Sequence, residues 1–235
     1  RQRQMCIRDR SIPIGVNCPP WPTYEPVQMK FFKRLSSNGA NGQILTHSNH
    51  VGTHLDGPLH FDTSGRTVDQ LELTKLVRPG VVVDLTDAPC CEDFGIYTPE
   101  MIEERVEVRE GDILIINTGY HKYGWDSPEA DEQRYMVRHP GPSLSFVKWC
   151  QDKKIAWIGV DCGSADHPMN TKIRDWCPMD AAKCDKYMQE KYGKTLQEMY
   201  PWPEQYQAMH IQLFCQPYEC IHAECLGGDI DQLSN

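Results

Sequence analysis

Four of the nine histidines in the chain fall within one short stretch, His47-Ser48-Asn49-His50-Val51-Gly52-Thr53-His54-Leu55-Asp56-Gly57-Pro58-Leu59-His60-Phe61. Imidazole and carboxylate groups together suit zinc, manganese or iron, whereas a cluster rich in thiolates would indicate structural zinc or an iron–sulfur cluster. The stretch is therefore predicted to form half of a metal site. This prediction constrains the fold, because the backbone must bring these side chains to one point.

The spacing of the histidines indicates how the backbone does so. His50 and His54 would share one face of a helix, but the glycine, proline and β-branched residues around them disfavour a helix. On a fully extended strand they share a face but lie about 13 Å apart, which is too far for one ion. We therefore expect a bulge or kink at Gly52, which has no Cβ. Asp56 then follows on the same side, and His60, outside this alternation, is interpreted as a proton carrier rather than a first ligand.

The run His50-x-Gly52-Thr53-His54-x-Asp56-x-Pro58-x-His60-Phe61 resembles the signature of the cyclase family of metal-dependent hydrolases, which includes bacterial kynurenine formamidase and isatin hydrolase. The resemblance implies that His50, His54 and Asp56 bind the metal and that Asp56 bridges to a second ion where one is present. It implies that His60 is the general acid and base. Surface-loop histidines or a purely structural metal site are the alternatives, but a structural site has no need of His60.

Further segments resemble the same family. The loop Pro19-Pro20-Trp21-Pro22 implies that Trp21 lines the substrate pocket, with ordinary core packing as the alternative. The segment 161–168 implies that Asp166 and His167 lie near the pocket, where they would bind substrate, orient a ligand or merely cap a turn. His121, which follows a predicted strand, is expected to be an exposed loop histidine.

The C-terminal part of the chain is expected to complete the site. Residues 209–214 resemble the family's His-x-x-Leu-Leu helix and residues 221–228 its closing strand, which implies that His210 and Glu224 bind a second metal or the substrate. Glu224 lies further from His210 than the family pattern leads us to expect. A small insertion between them would explain this spacing, and His222 is the alternative ligand if it does not.

Composition narrows the partners and the compartment. A net charge of −9 argues against nucleic acid or an anionic membrane as partner and favours a small-molecule substrate. No apolar run approaches the length of a membrane span, and the N-terminus lacks the apolar core of a signal peptide, so we expect a cytoplasmic protein. Eleven cysteines, an odd number without any Cys-x-x-Cys pair, indicate reduced thiols.

The alternation of strand-like and helix-like segments predicts an α/β fold. The family resemblance implies a swivelling β/β/α domain, which is a twisted mixed sheet with outer helices. We expect one domain over residues 11–235. Residues 1–10 carry four arginines without periodicity and are interpreted as a non-native or disordered extension. Strands are predicted at 29–35, 81–85, 113–117 and 155–161, and helices within 67–77, from 98 onwards and at 142–153.

The insertion 175–207 contains Tyr187, Tyr192, Tyr200, Trp202 and Tyr206 among charged residues. Aromatic rings with polar tips can close a lid over a cyclic substrate, or they can form a subunit contact. The sequence leaves both interpretations open. The resemblance implies a homodimer or homotetramer.

The ligand set predicts the chemistry. One or two divalent ions, zinc or manganese, would supply hydroxide near pH 7 for attack on a carbonyl, and His60 would carry the proton to the leaving atom. Ring-opening hydrolysis of a cyclic amide or hydrolysis of a formyl amide is favoured, and the aromatic insertion favours a cyclic substrate. One alternative is a cyclohydrolase that cleaves a carbon–carbon bond of a cyclic 1,3-diketone. Another, from a different class, is a non-catalytic, metal-dependent protein that binds a small molecule.

Overall fold

The central sheet of the computed structural model, which describes residues 8–233, is built from short apolar strands. These strands are β3 (His54–Asp56), β4 (Gly80–Asp84), β6 (Ile113–Asn117), β8 (Trp157–Val160) and β9 (Ile221–Glu224). Their order is β3-β9-β8-β6-β4, and β3 is antiparallel to β9 while the other pairs are parallel. The predicted α/β fold with a mixed sheet is confirmed. The only antiparallel pair among these five strands carries three of the predicted metal ligands, His54, Asp56 and Glu224.

The strand β6 shows why this sheet is buried on both faces. All of its residues are buried, and alternate side chains point to opposite faces. Leu114 and Ile116 belong to one apolar core, and Ile113 and Ile115 to another. Full burial of each such side chain contributes about 1.5–3 kcal/mol relative to exposure. A continuous apolar run is therefore the sequence pattern expected for a strand at the centre of the sheet.

Helices cover the sheet and extend beyond it. Two of them, α4 (Ser145–Lys153) and α8 (Ala208–Phe214), place Phe146 and Leu213 in the core that receives Leu114 and Ile116. The insertion forms a second helical layer, in which Met188 and Tyr200 are buried in a separate apolar cluster. The helices are α1 (Leu35–Asn38), α2 (Leu73–Leu76), α3 (Pro99–Glu103), α4 (Ser145–Lys153), α5 (Ile173–Trp176), α6 (Pro178–Tyr192), α7 (Leu196–Met199) and α8 (Ala208–Phe214).

Local sequence explains the helices of the insertion. Pro178 occupies the first turn of α6, where its missing N–H costs no hydrogen bond, and Gly193 ends the helix in the left-handed conformation with φ +67°. Thr195 and Glu198 then form a reciprocal capping box at the start of α7. The insertion is thus an ordered pair of helices rather than a loop.

Two small sheets lie outside the central one. Strands β1 (Gln28–Lys33) and β2 (Gly42–Thr46) form an antiparallel ribbon, and β5 (Ile96–Tyr97) pairs with β7 (Gly141–Pro142). The ribbon is largely exposed although it contains apolar residues, among them Met29, Ile44 and Leu45. One turn of helix, α1, follows β1, because the carbonyls of Arg34 and Leu35 accept hydrogen bonds from the following amides.

The two ends of the described part of the chain contact each other. Residues 1–7, most of the predicted extension, lie outside the described residues. Asp9 and Arg10 pack on the fold, since the amide of Asp229 donates to the Asp9 carbonyl and that of Gly227 to the Arg10 carbonyl. Among residues 8–233, no helix combines the length and the apolar character needed to cross a bilayer.

Candidate active site

The strand pair β3–β9 assembles the core of the site. His54 lies opposite Glu224, and Asp56 lies opposite His222. Directly opposed residues of an antiparallel pair project to the same face, and so do alternate residues of one strand. Two imidazoles and two carboxylates are therefore presented together on one face of the sheet.

Gly52 brings His50 to this face. Its φ is +64°, a conformation that favours glycine, and it turns the chain just before β3. As a result Nδ1 of His50 lies 3.1 Å from Nε2 of His54 and 3.3 Å from Oδ1 of Asp56. The bend expected at Gly52 is present, and it removes the separation of about 13 Å that an extended strand would impose.

A short 3-10 turn at Pro58–His60 returns His60 to the site. Nε2 of His60 lies 3.7 Å from Oδ2 of Asp56, and its ring centroid is 4.3 Å from that of His50. His50, Asp56 and His60 offer donor atoms within 4.8 Å of one another. His60 is thus close enough to exchange a proton at the site, and a direct ligand role is also within its reach.

The helix α8 brings His210 to the carboxylates of the strand pair β3–β9. Its Nε2 atom lies 3.3 Å from Oε1 of Glu224 and 3.6 Å from Oδ2 of Asp56. The spacing of His210 and Glu224 along the sequence therefore does not separate them in space. Asp166 holds the opposite ring atom, with Oδ2 2.7 Å from Nδ1 of His210, and it also accepts a hydrogen bond from the amide of Met209.

The polar atoms of His54, Asp56 and Glu224 show whether a divalent cation fits the site. Nδ1 of His54 lies 2.9 Å from the carbonyl oxygen of Gly52, an acceptor only, so Nδ1 carries the proton. Nε2 of His54 lies 3.5 Å from Oδ1 of Asp56 and 3.7 Å from Oε2 of Glu224. Oδ2 of Asp56 is buried without any hydrogen bond. A cation bound between these carboxylates and ring nitrogens would give Oδ2 of Asp56 a partner and balance the carboxylate charges.

The electrostatics of the site agree with this reading. Burial opposes ionisation of Asp56, but His210 and the neighbouring histidines hold its pKa well below the usual value. Burial opposes the charge on His210, yet the hydrogen bond to Asp166 and the nearby carboxylates of Asp56 and Glu224 raise its pKa well above the ordinary value. A metal ion at Nε2 of His210 must displace that proton, so metal binding at this position weakens as the pH falls. Burial also lowers the pKa of His50, and lowers that of His60 to about 4.

A cavity of about 190 Å³ opens over the cluster. Aromatic side chains dominate its wall, and Lys172 adds a positive charge. Of the predicted substrate-binding residues, Trp21 lies on the wall, whereas Asp166 and His167 are absent from the described lining. The side chains and loop residues that line the cavity are Trp21, Tyr24, His50, Asp56, His60, Phe61, Ser164, Lys172, Trp176, Tyr206, Gln207, His210 and Glu224.

The sequence left open whether Asp166 and His167 orient a ligand or cap a turn, and the structure gives each residue one of these roles. Asp166 orients His210 from behind, as a residue that holds a ligand does. The fully buried His167 accepts a hydrogen bond from the amide of Met169 at the start of a 3-10 turn and stacks on Tyr200, with ring centroids 4.8 Å apart. It caps a turn, and the cavity wall does not include it. Burial lowers the pKa of His167 to about 3, so the ring is neutral.

His121 differs from the exposed loop histidine that the sequence predicted. Its side chain is only 15 % exposed, and its ring nitrogens each lie 3.0 Å from a carboxylate oxygen, of Asp161 and of Asp231. Strand order explains the error, because β6 and β8 are neighbours and the residues that follow them, Thr118 and Asp161, therefore meet. This cluster is not part of the wall of the cavity.

Several residues of the cavity were not predicted individually. Trp176, Tyr206 and Gln207 come from the insertion, and Lys172 lies just before α5. The aromatic content of the insertion was the signal for Tyr206, whereas a single lysine among charged residues offered none. Two other tyrosines of the insertion do not line the cavity. Tyr187 donates a hydrogen bond to Glu92, and Tyr200 donates one to the carbonyl of Pro142.

Comparisons with known proteins agree with the geometry. The Cyclase family model, described as "Putative cyclase", matches residues 9–167. The kynurenine formamidase of Bacillus cereus is 30% identical over 166 residues, which are 70% of this chain and 71% of that protein. The kynurenine formamidase of Geobacillus thermodenitrificans is 32% identical over 165 residues, with the same two coverages.

Solved structures share the fold. Isatin hydrolase A from Ralstonia solanacearum aligns with a TM-score of 0.70 at 18% identity, over 96% of this chain and 80% of that one. An isatin hydrolase bound to the product analogue thioisatinate aligns with a TM-score of 0.69 at 19% identity, with the same coverages. The structural likeness establishes the fold, while the family match and the identity to the kynurenine formamidases establish the ancestry. The chain therefore belongs to the Cyclase family of metal-dependent hydrolases.

Proposed function

We propose that this protein hydrolyses the carbonyl–nitrogen bond of a small aromatic amide with the help of a divalent cation. The observation that carries the proposal is the convergence of His50, His54, Asp56 and Glu224 on one point beside His60, at the base of an aromatic cavity. A purely structural metal site would need neither the open cavity nor His60.

Each residue has a definable part in the reaction. His50, His54 and Asp56 would hold the cation, and His210 and Glu224 would hold a second one that shares Asp56. A cation there supplies Lewis acidity, which polarises a carbonyl oxygen and lowers the pKa of water. His60 lines the cavity with Nε2 near Asp56, and its low pKa leaves the ring neutral at pH 7. Neutral His60 can therefore take a proton at Nε2 from the attacking water and return it to the leaving nitrogen.

The cavity wall supports an aromatic substrate. Trp21, Tyr24, Phe61, Trp176 and Tyr206 surround the cluster with ring surfaces. Such a wall suits a flat ring system, whose burial and ring contacts contribute to binding. The volume of about 190 Å³ is small, which favours a compact substrate. We therefore favour ring opening of a cyclic amide, as in the isatin hydrolases, over hydrolysis of an open formyl amide, as in the kynurenine formamidases.

Lys172 refines the substrate class. Its Nζ pairs with Asp175 at 3.2 Å and lies 4.9 Å from the ring centroid of Trp202, while the side chain lines the cavity. Amide hydrolysis produces a carboxylate, and a lysine on the wall would attract such a product or an anionic group already on the substrate. Carbon–carbon cleavage of a cyclic 1,3-diketone also begins with attack on a carbonyl and remains the alternative reaction.

The proposal extends to the metal that the protein binds, its location in the cell and its oligomeric state. Nitrogen and oxygen ligands suit zinc and manganese, and we propose one or two of these ions per chain. We propose a cytoplasmic location, which the free cysteines of the described chain support. We also propose a homodimer or homotetramer that acts on a small molecule and not on nucleic acid. The exposed apolar ribbon β1–β2 supports this assembly, since an isolated ribbon has little stability of its own.

Metal content and turnover together test the function. Purified protein, loaded with zinc or manganese, is assayed on isatin, a formylated aromatic amine and a cyclic 1,3-diketone beside the variants His54→Ala and His47→Ala. His47 is an exposed histidine of the same stretch and serves as the matched control. We expect about one or two bound ions and turnover of a cyclic amide. His54→Ala should lose the turnover and the ion that His54 holds, and His47→Ala should keep both. Metal binding without turnover of any substrate would favour the non-catalytic binding protein instead.

A further inference from the structure

His222 occupies an unusual position for a buried histidine. Its side chain is fully buried, and neither Nδ1 nor Nε2 has a hydrogen-bond partner. Removing a polar ring atom from water without a partner costs free energy, so buried imidazoles are ordinarily bonded to protein or to a metal. For comparison, the fully buried His167 places one ring atom near a carbonyl and the other near an amide.

The strand register directs His222 towards the metal-site residues. It lies opposite Asp56 in the β3–β9 pair and two residues before Glu224, so all three project to the same face. Its ring meets that of His210 edge-on, with centroids 4.7 Å apart and planes at 82°. His210, His222 and Glu224 offer donor atoms within 4.8 Å of one another.

The two partners have donor atoms available. Asp166 occupies Nδ1 of His210, which leaves Nε2 directed at Oε1 of Glu224 at 3.3 Å. His210 and Glu224 line the cavity, whereas His222 is fully enclosed. The position bounded by these three side chains is thus on the core side of the cavity wall.

We propose that His222 is a metal ligand and that, with His210 and Glu224, it completes a second divalent-cation site at the core side of the cavity. The inference rests on the proposed metal-dependent function. Two imidazoles and one carboxylate form a ligand set that zinc commonly occupies. The site differs from a position formed by Asp56, His210 and Glu224 alone, because His222 adds a nitrogen ligand from within the core.

The competing role for His222 is packing. Its ring lies 4.5 Å from that of Phe214, and an aromatic contact alone would keep it in place. The two roles make different predictions for metal binding. A packing ring can be replaced by another apolar side chain without effect on the number of ions, whereas a ligand cannot.

Metal stoichiometry and affinity separate these roles without any activity assay. Metal-free protein is titrated with zinc against a chelating indicator for the wild type, His222→Leu, His54→Ala and His139→Leu. His139 is the matched control, a fully buried histidine with one unpartnered ring nitrogen that belongs to none of the donor groups. We expect two zinc ions in the wild type and in His139→Leu. His222→Leu should keep the His54-dependent ion and bind the other about 10-fold more weakly or worse.

The remaining outcomes are distinguishable. Equal binding of both ions by His222→Leu and the wild type would overturn the ligand role of His222 and leave the proposed function intact. Absence of zinc binding by the wild type would overturn both. His222→Gln, which keeps a polar side chain, replaces His222→Leu if the latter does not fold.

Zinc-edge anomalous diffraction from wild-type crystals gives an answer that needs no variant. We expect a peak about 2.0–2.1 Å from a ring nitrogen of His222. A peak that contacts His210 and Glu224 but lies beyond bonding distance of His222 would refute the proposal.

Discussion

Nδ1 of His210 lies 2.7 Å from Oδ2 of Asp166, and both side chains are buried. The carboxylate therefore fixes the tautomer of the ring and turns Nε2 towards Glu224 and Asp56. Such a partner behind a metal-binding histidine raises its basicity and holds its orientation. The relationship assigns Asp166 a positioning role and not direct contact with substrate.

Replacement of Asp166 by asparagine should weaken metal binding at His210. The amide keeps the size of the side chain but removes its charge, and we expect a loss of about 10–100-fold in metal affinity. Asp161→Asn is the matched control, because Asp161 is also a buried carboxylate beside a histidine, His121, away from the cavity. Zinc titration of both variants checks this, and unchanged affinity in Asp166→Asn would contradict the role.

His60→Gln tests whether His60 carries protons or binds metal. As a general acid and base it should lower kcat by about 100-fold or more while the metal content stays at the wild-type level. Elemental analysis and steady-state kinetics on the same preparation make the distinction, with His47→Gln as the control from the same stretch. Loss of metal together with activity would instead make His60 a ligand, which its donor atom would permit.

Lys172→Met should affect substrate or product binding more than chemistry. A charge-assisted hydrogen bond contributes about 1.5–3 kcal/mol, so for an anionic substrate we expect KM to rise about 10-fold or more. Product inhibition by the carboxylate should weaken in parallel, while kcat changes little. Lys183→Met is the matched control, because Lys183 also pairs with an aspartate three residues away and does not line the cavity. Equal KM values for the wild type and Lys172→Met would exclude this contact.

The His121 cluster should make stability depend on pH. Burial opposes the charge on His121, but Asp161 and Asp231 raise its pKa above the ordinary value of 6.5. The folded state therefore binds a proton more tightly than the unfolded state. The contribution of charged His121 to stability is complete below the pKa that this residue has in the unfolded state. It is lost as the pH rises through the pKa of His121 in the folded state.

Urea unfolding of wild type and His121→Gln at pH 6 and pH 9, in a chelating and reducing buffer, tests this linkage. The difference in unfolding free energy between the two proteins should be larger at pH 6 than at pH 9. The other titrating groups are common to both proteins, so they largely cancel in this difference. A difference that stays constant or grows with pH would show that His121 is not held in its charged form.

The ribbon β1–β2 should mediate association of the proposed oligomer. Ile44 and Leu45 are 53% and 54% exposed, which is unfavourable for neighbouring apolar side chains in water. The double variant Ile44→Glu, Leu45→Glu should shift the protein to a monomer in light scattering coupled to size-exclusion chromatography. Val77→Glu, at a valine that is 80% exposed outside the ribbon, is the control. A wild-type protein that is already monomeric would refute the association.

Local chemistry made much of the fold predictable. The apolar run of β6 and the proline-initiated helix α3 appear where the sequence predicted them. Residues 50–60 contain both the candidate ligands and Gly52, the residue that permits the backbone to bend between them. This half of the site could therefore be predicted from the sequence. The match to the family model also covers this half, since it ends at residue 167.

The other half of the candidate site, which contains His210, His222 and Glu224, is formed by contacts between segments that are distant in the sequence. The register of β9 against β3 turns both Glu224 and His222 towards His210, since it places Glu224 opposite His54 and His222 opposite Asp56. A shift of one residue would turn both side chains away, and no local pattern in the sequence specifies that register. His121 was missed because its partners, Asp161 and Asp231, are distant in the sequence. Lys172 was missed because the cavity wall that it joins is assembled from distant segments.

The sequence by itself thus determined the ligand types, the bend that brings His50 to His54 and the α/β class. These properties follow from side-chain chemistry, backbone preference and periodicity within short segments. Only the tertiary structure decided that Asp166 orients His210, that His167 caps a turn and that His222 lies buried among the ligands. Those roles arise from the order and register of strands and from helix packing, which join residues that are far apart in the chain.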